Sequence, residues 1–137
     1  MSAETTPPIT YRDDQRPDIA TIIALYRAAA LARPLEDPAR IERMYANANL
    51  ILTAWAGETL IGILRGWSDD GFLGYIADLA VHPDHQRAGI GRELLRRAIA
   101  TNREVTFILN AAPEAADYYR HIGWTKIENG WLWRRER

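Results

Sequence analysis

The 137-residue chain contains no cysteine, which excludes disulfide bonds, thiolate zinc sites and cysteine nucleophiles. It also has no large excess of either charge, because it contains 17 Lys and Arg residues and 18 Asp and Glu residues. That balance leaves no basic surface for nucleic acids or anionic membranes. No apolar run approaches the roughly 20 residues that span a bilayer, and the N-terminus does not read as a signal peptide. We therefore expect a soluble, cytoplasmic protein that binds neither nucleic acid nor membrane.

Composition indicates a folded chain with one core. Apolar types make up 47% of the residues and charged types 26%, as in ordinary globular proteins. At this length, folding buries roughly two-thirds of the surface of the chain. Residues 1–8 are polar, contain two prolines and predict a flexible N-terminal tail. Residues 9–137 predict a single domain.

Hydrophobic periodicity predicts the order of secondary-structure elements. Helices are expected after Pro17, after Asp37, from about Gly89, and over 113–121. Strands are expected at 9–12, 50–55, 59–67, 75–81 and 105–110, and as a closing hairpin of 124–127 and 131–134 around Asn129-Gly130. In 75–81, odd-numbered residues share one face and even-numbered residues the other. The order predicts an α/β (α+β) fold with a mixed, mostly antiparallel sheet of about seven strands flanked by about four helices.

The predicted third helix begins without a capping side chain. No Ser, Thr, Asp or Asn immediately precedes it, and residues 87–91 read Arg-Ala-Gly-Ile-Gly. Each glycine there costs about 1 kcal/mol of helix stability relative to alanine. Glycine does let a ligand approach the unpaired amides of the first turn, and Arg87 and Arg92 add positive charge. The pattern favours a phosphate site, although a glycine-rich turn facing water gives the same sequence.

Two common phosphate loops do not fit this segment. A Walker loop needs Gly-Lys-Ser/Thr, whereas Gly91 is followed by Arg92-Glu93. A dinucleotide fingerprint needs a third small residue where Leu94 stands, and an acidic residue about 20 positions further on, where Ala111 stands.

Two separated motifs resemble the GNAT superfamily of N-acetyltransferases. The segment Gln86-Arg87-Ala88-Gly89-Ile90-Gly91 matches its Q/R-x-x-G-x-G/A signature. The segment from Tyr118-Tyr119 to Gly123-Trp124 is similar to its second motif, with Tyr118 and Trp124 in place of phenylalanine. The order of elements agrees with the GNAT fold from about residue 9 onward.

The resemblance implies acetyl-CoA as co-substrate and no metal. The amides of the helix N-terminus would hold its diphosphate, the pantetheine arm would lie along the end of strand 75–81, and the acetyl group would enter between that strand and strand 105–110. The cofactor residues implied are Leu79, Ala80, Val81, Gln86, Arg87, Ala88, Gly89, Ile90, Gly91, Arg92, Asn110 and Tyr119.

The resemblance also implies a catalytic role for Tyr119, and Asp78 is a second candidate because it lies on the strand just before the cofactor segment. Tyr119 would lie near the thioester sulfur, where a phenol of pKa near 10 can protonate a leaving thiolate of pKa about 8.5. We expect its neighbour Tyr118 to pack in the core, because adjacent helical residues point about 100° apart. Asp78 would attract the amine or act through water, and a purely structural hydrogen bond is the equal alternative.

The sequence also suggests a pocket for the acetyl acceptor. Aromatic and acidic side chains suited to a cationic amine are Tyr26, Trp67, Asp69, Asp70, Trp131 and Trp133. Tryptophans in a domain of this size also serve as core or cross-strand residues. The pair His82 and His85 has a metal-ligand spacing but no third ligand nearby, so we expect it to flank a turn.

The expected function is acetyl transfer from acetyl-CoA to a primary amine of a small molecule by direct attack. No covalent enzyme intermediate is expected, because cysteine and a nucleophilic serine motif are both lacking. The alternatives are acetylation of a protein lysine or N-terminus and, in another class, a catalytically inactive CoA-binding sensor. The resemblance is also compatible with a homodimer.

Overall fold

The computed structural model describes residues 7–137, so most of the predicted tail at 1–8 lies outside the described residues. The strands are β1 Ile9–Arg12, β2 Leu50–Ala56, β3 Thr59–Ser68, β4 Leu73–Val81 and β5 Thr106–Leu109. The helices are α1 Ile19–Ala28, α2 Pro38–Ala46, α3 Ile90–Ala100 and α4 Ala116–His121. Short 3-10 turns at Pro83–His85 and Pro113–Ala115 precede α3 and α4. The predicted mixed sheet with four helices is confirmed.

The five strands form one sheet in the order β1-β2-β3-β4-β5. The first three pairings are antiparallel, as short connections allow. The last, β4 with β5, is parallel, because α3 crosses over between these strands. No helix among residues 7–137 is long and apolar enough to cross a membrane.

Each face of the sheet is covered by helices. On one face α1 and α2 bury a cluster around Ile22, Ile41 and Ile63. On the other face α3 buries Leu94 and Leu95 against the inner strands, and α4 adds partly buried side chains. β4 alternates between buried even-numbered and half-buried odd-numbered residues, as its pattern predicts. The half-buried side chains are therefore those available to a ligand.

The predicted closing hairpin is wrong, and the sheet has five strands rather than about seven. Residues 125–137 form no strand, and the side chains meant to build the hairpin face outward. Trp131 is 98% exposed and Trp133 is 96% exposed. Asn129-Gly130 suits a turn, but an isolated hairpin is marginal unless it buries an apolar face. These residues find no such face in the chain.

A β-bulge interrupts β4 opposite Arg65 and Gly66. Asp78 is opposite Arg65, Ile76 is opposite Gly66, and Ala77 between them has no partner on β3. Gly66 is required there, because an added Cβ would lie 2.3 Å from the carbonyl oxygen of Tyr75. The bulge bends β4 at the point where its pairing with β5 ends.

Candidate active site

The N-terminus of α3 presents unpaired backbone amides. Its N-cap is Gly89, which has φ 76° in the left-handed region and makes no side-chain cap. The first helical hydrogen bond runs from the Glu93 amide to the Gly89 carbonyl at 3.0 Å. The amides of residues 90–92 therefore have no acceptor within the helix, and the helix dipole is positive at this end.

The two preceding helices, α1 and α2, each have the side-chain N-cap that α3 lacks. In α1 the Asp18 carboxylate accepts from the Thr21 amide at 2.8 Å. In α2 the Asp37 carboxylate accepts from the Arg40 amide at 3.1 Å, as its sequence predicts. The chain caps these helices with acidic side chains but starts α3 with a glycine, so an external anion can take the place of the cap.

The loop before α3 is held in an unusual conformation. Arg87 has φ 71°, a left-handed backbone that costs a non-glycine residue about 1–2 kcal/mol. The Gln86 side chain donates to the Val81 carbonyl at 3.2 Å and so ties the loop to the end of β4. Strain of this kind persists only where surrounding contacts impose it, and it is frequent at binding sites.

Gly91 connects the start of α3 with the end of β4. A Cβ added to Gly91 would lie 3.6 Å from Leu79 Cδ2 and 3.8 Å from Val81 Cγ2, both ordinary contact distances. Leu79 and Val81 are half-buried, whereas Ala80 is 2% exposed and can contribute only backbone. The structure therefore brings the residues expected to bind the diphosphate next to those expected to flank the pantetheine arm.

One edge of β4 is open beyond its bulge. The parallel pairing with β5 ends at Ile76 and Leu109. Residues 77–81 continue β4 with β3 on one side and, within residues 7–137, no strand on the other. We call this backbone segment the free edge of β4. The carbonyls at its two ends accept from side chains, Ala77 from Arg33 and Val81 from Gln86. The backbone groups between them that face away from β3 can receive an extended ligand as a further strand.

Two clefts flank Trp124, which lines both of them. The α4 cleft, of about 280 Å³, lies between β5, α4 and residues 124–127, and it brings together Asn110 and Tyr119. The α3 cleft, of about 330 Å³, lies between α3 and residues 122–124, and it includes Gly89 and Arg92. Most of the described cofactor candidates thus border one of these clefts or the free edge of β4.

Tyr119 packs against the core cluster that α3 covers, and it lines the α4 cleft. Burial, and to a smaller extent the neighbouring Tyr118, raises the pKa of Tyr119 above its ordinary value. The phenol therefore keeps its proton at neutral pH. The expectation that Tyr118 packs in the core is wrong, because its side chain is 41% exposed. Tyr119 is the one residue of the short α4 that is half-buried rather than exposed.

Asn110 is engaged at the end of β5. Its side-chain oxygen accepts a hydrogen bond from the Tyr75 hydroxyl at 2.5 Å. Tyr75 in turn stacks on Trp67 at a centroid distance of 6.4 Å. The amide group of Asn110 keeps its N–H donors for a ligand, and the contact fixes which way they point.

Both oxygens of Asp78 accept hydrogen bonds from neighbouring side chains. Its Oδ1 accepts from Arg33 Nε at 2.6 Å, and Arg33 Nη2 lies 2.6 Å from the same oxygen. Its Oδ2 accepts from Arg65 Nε at 2.6 Å and from the Tyr26 hydroxyl at 2.7 Å. The Tyr26 hydroxyl also bonds that of Tyr45. A carboxylate offers about four acceptor positions, and hydrogen bonds from Arg33, Arg65 and Tyr26 take three of them.

We call these five residues the Asp78 cluster; they are Tyr26, Arg33, Tyr45, Arg65 and Asp78. Only Arg33 carries appreciable exposure, at 29% of its side chain. Sequence reasoning singled out Tyr26 and Asp78 but missed the other three. A signal for one of them was present, because Arg65 and Asp78 are the sole charges in two adjacent apolar strands.

The structure does not bring the predicted acceptor residues into one pocket. Tyr26 is 0% exposed and belongs to the Asp78 cluster. Asp69 accepts from three turn amides at 2.7–3.0 Å, which lowers the pKa of its carboxyl. Asp70 accepts from the side chain of Asn102 at 2.8 Å. Trp67 donates its indole N–H to the Asn47 carbonyl at 2.6 Å.

The two histidines flank the turn before α3. The His82 ring accepts from the Asp84 amide at 3.1 Å and meets the ring of His85 edge-on at 6.1 Å. Within residues 7–137, no group of three His, Asp or Glu side chains is placed to hold a metal ion.

Comparison with known proteins identifies the family of the chain. A family model described as an acetyltransferase (GNAT) domain matches residues 25–131. The "Uncharacterized N-acetyltransferase ycf52" of Pyropia yezoensis is 30% identical over 105 residues, which cover 72% of this chain and 59% of that protein. The chain spans about half the length of the curated relatives it matches.

Solved structures share the fold at low sequence identity. A structure described as a putative acetyltransferase from Deinococcus radiodurans has a TM-score of 0.77 and 19% identity, covering 98% of this chain and 94% of the other. An aminoglycoside N-acetyltransferase, AAC(6')-Iy, solved in complex with CoA, has a TM-score of 0.71 and 12% identity over the full length of both chains. The family model covers well over half of the sequence, and the chain belongs to the GNAT family of acetyltransferase domains.

Proposed function

We propose that this chain transfers the acetyl group of acetyl-CoA to a primary amine of a small molecule. The observation that carries the proposal is the uncapped N-terminus of α3, in contact through Gly91 with the free edge of β4. The unpaired amides are suited to a diphosphate, and the open strand edge is suited to an extended amide-containing arm. The family to which the chain belongs and its CoA-bound structural neighbour support this donor.

Tyr119 is the proposed proton donor to the departing thiol. Burial raises the pKa of its phenol, so the proton is present at neutral pH when the carbon–sulfur bond breaks. Asn110 borders the same cleft, with its amide oriented by Tyr75. We assign Asn110 to binding of the arm or of the acetyl group and Tyr119 to the chemical step.

The amine must lose a proton before it attacks. An alkylamine of pKa about 10.4 is neutral in only about one molecule in 2,500 at pH 7, which corresponds to about 4.6 kcal/mol. Asp78 was one candidate to receive that proton, but its oxygens are occupied by Arg33, Arg65 and Tyr26. We therefore assign Asp78 a positioning role and assign the proton to solvent water at the opening between β4 and β5.

A small-molecule acceptor is the favoured class. Two structural neighbours are aminoglycoside acetyltransferases, one solved with CoA and the other, from an uncultured soil sample, with sisomicin. Both proteins are less than 25% identical to this chain, so they support the proposal only through their shared fold. The acceptor surface proposed here is the half-buried face of β4, where Tyr75 stacks on Trp67, together with the rim of the α4 cleft.

The test is thiol release from acetyl-CoA in the presence of separate panels of amines, amino acids, polyamines, aminoglycosides and lysine peptides. The proposal predicts release that depends on a small amine, with one acetylated product per thiol by mass spectrometry. Release with peptides alone would instead support protein acetylation. CoA binding without release on any panel would identify an inactive sensor and overturn the proposal.

A further inference from the structure

We infer that Arg33 is a positioning residue that holds the β4 bulge in the shape the acetyl-transfer site needs. The inference rests on the proposed function. It assigns a role to a side chain in the α1–α2 connection, 44 residues before the bulge in sequence. Neither of the two sequence motifs contains this residue.

Ala77 is the weak point of β4. It has no partner on β3, because it is the extra residue of the bulge, and none on β5, because that pairing ends at Ile76. Its carbonyl accepts instead from Arg33 Nη2 at 2.9 Å. Backbone carbonyls in folded proteins are paired with a donor, and at this extra residue the donor is a side chain. Arg33 provides that fixation where the free edge of β4 begins.

The guanidinium group is itself fixed from several sides. Its Nε and Nη2 face Oδ1 of Asp78, and its Nη1 donates to the Ala32 carbonyl at 2.6 Å. Asp78 is in turn held by Arg65 and Tyr26. A planar guanidinium can serve a carboxylate and a carbonyl at once, which a lysine ammonium cannot do with the same geometry.

The bulge is also limited from the side of β3. Gly66 leaves room for the Tyr75 carbonyl, which would otherwise collide with a side chain. The bulge is thus shaped from two sides. Gly66 on β3 has no side chain that would collide with it, and Arg33 holds the Ala77 carbonyl by a hydrogen bond. Because Arg33 is the member of the Asp78 cluster that borders solvent, it is also the member that can be altered without opening the core.

The experiment compares Arg33→Ala and Arg33→Lys with the matched control Arg16→Ala. Arg16, which precedes α1, also donates to two backbone carbonyls, of Tyr45 at 2.6 Å and Ala48 at 3.0 Å. These carbonyls lie at the end of α2, and neither hydrogen bond involves β4. Amide hydrogen exchange of residues 77–81, the turnover number and the dissociation constant for CoA are measured for all variants.

For both Arg33 variants we expect faster exchange across 77–81 and a turnover number lower by about tenfold or more, since small displacements of reacting groups have effects of this size. The dissociation constant for CoA should rise by a smaller factor than the turnover number falls, because the amides of α3 proposed to bind the diphosphate are untouched and only the start of the free edge of β4 is loosened. Arg16→Ala should change neither the exchange of 77–81 nor the turnover number, even where its melting temperature falls equally. Arg33→Lys keeps the charge and serves as the variant that remains folded.

Unchanged exchange across 77–81 in both Arg33 variants would overturn the inference, as would an equal loss of turnover in Arg16→Ala. The exchange measurement needs no substrate. If the wild-type protein acetylates no amine, the proposed function fails while the role of Arg33 in shaping the bulge is still decided by exchange.

Discussion

Tyr119 and Tyr118 are adjacent tyrosines in unequal surroundings. Tyr119 is packed against the core and lines the α4 cleft, whereas the ring of Tyr118 is exposed. Tyr119→Phe removes only the hydroxyl and keeps the packing. We predict a turnover number lower by about 10- to 100-fold with an unchanged dissociation constant for CoA, because proton donation contributes in this range.

Tyr118→Phe is the matched control for that substitution. It removes the same hydroxyl one residue away and should leave the turnover number within about twofold. Steady-state kinetics and calorimetry on both variants make the comparison. Equal losses in the two variants would exclude a proton-donating role for Tyr119.

Substitution of Asp78 tests whether its carboxylate has a structural role or acts as a catalytic base. Asp78→Asn leaves the guanidinium of buried Arg65 without its counter-ion. Breaking a buried pair in this way costs about 3–5 kcal/mol of unfolding free energy. Urea unfolding should therefore show a large loss of stability. A variant with wild-type stability and no turnover would instead indicate that Asp78 acts on the substrate.

Tyr45 gives the fold a dependence on alkaline pH. Burial raises the pKa of Tyr45, as it does that of Tyr26, so each phenol keeps its proton in the folded state above pH 10. The unfolded chain releases these protons at about pH 10, and stability is lost as pH rises beyond that point. Each group contributes a slope of about 1.4 kcal/mol per pH unit in that range.

Between about pH 10 and 11, the free energy of unfolding should fall less steeply in Tyr45→Phe than in the wild type. The difference in slope should be about 1.4 kcal/mol per pH unit, because one buried phenol has been removed. Urea unfolding at closely spaced pH values measures the slope of unfolding free energy against pH for the variant and for the wild type. Identical slopes in the variant and the wild type would show that Tyr45 titrates in the folded protein as it does in the unfolded chain.

At the scale of single elements, β4 owes its bulge to the glycine beside it. Gly66→Ala brings a methyl group within 2.3 Å of the Tyr75 carbonyl oxygen, and backbone must move to accommodate it. We expect a loss of about 1–3 kcal/mol in unfolding free energy. Gly71→Ala, whose added methyl would meet nothing within 4 Å, is the control and should be nearly neutral. Equal stabilities of the two variants would exclude a constrained bulge.

Local sequence predicts most of these elements for physical reasons that the structure bears out. The acidic cap at Asp37 marks the start of α2, and the alternation along β4 matches its burial. The absence of a cap at Gly89 is equally visible in sequence. Such features depend on neighbours within a few residues, so no knowledge of the fold is needed to recognise them.

Contacts between distant segments could not be predicted in the same way. The Asp78 cluster joins residues 26, 33, 45, 65 and 78, and its assembly depends on the register of β3 with β4 and on the path of the α1–α2 connection. The closing hairpin was predicted from turn chemistry alone and did not form. Register and tertiary burial decide such cases.

At the scale of the whole molecule, the sheet and its two helical layers serve to place the start of α3 beside the open edge of β4. Helix α3 packs against the sheet through Leu94 and Leu95, so its N-terminus is fixed relative to Leu79 and Val81. The account therefore depends on one physical claim, that the unpaired amides at the start of this helix bind the diphosphate of CoA.

Gly91→Glu tests that claim most directly. A glutamate in the first turn of α3 interacts favourably with the helix dipole and should not lower stability, but its charge lies where the diphosphate would bind. Calorimetric titration with CoA should show one site in the wild type and an affinity at least about tenfold lower in the variant, with Gly71→Glu as a control that binds normally. No heat of binding in the wild type at about 1 mM CoA, or equal affinity in Gly91→Glu, would contradict the account.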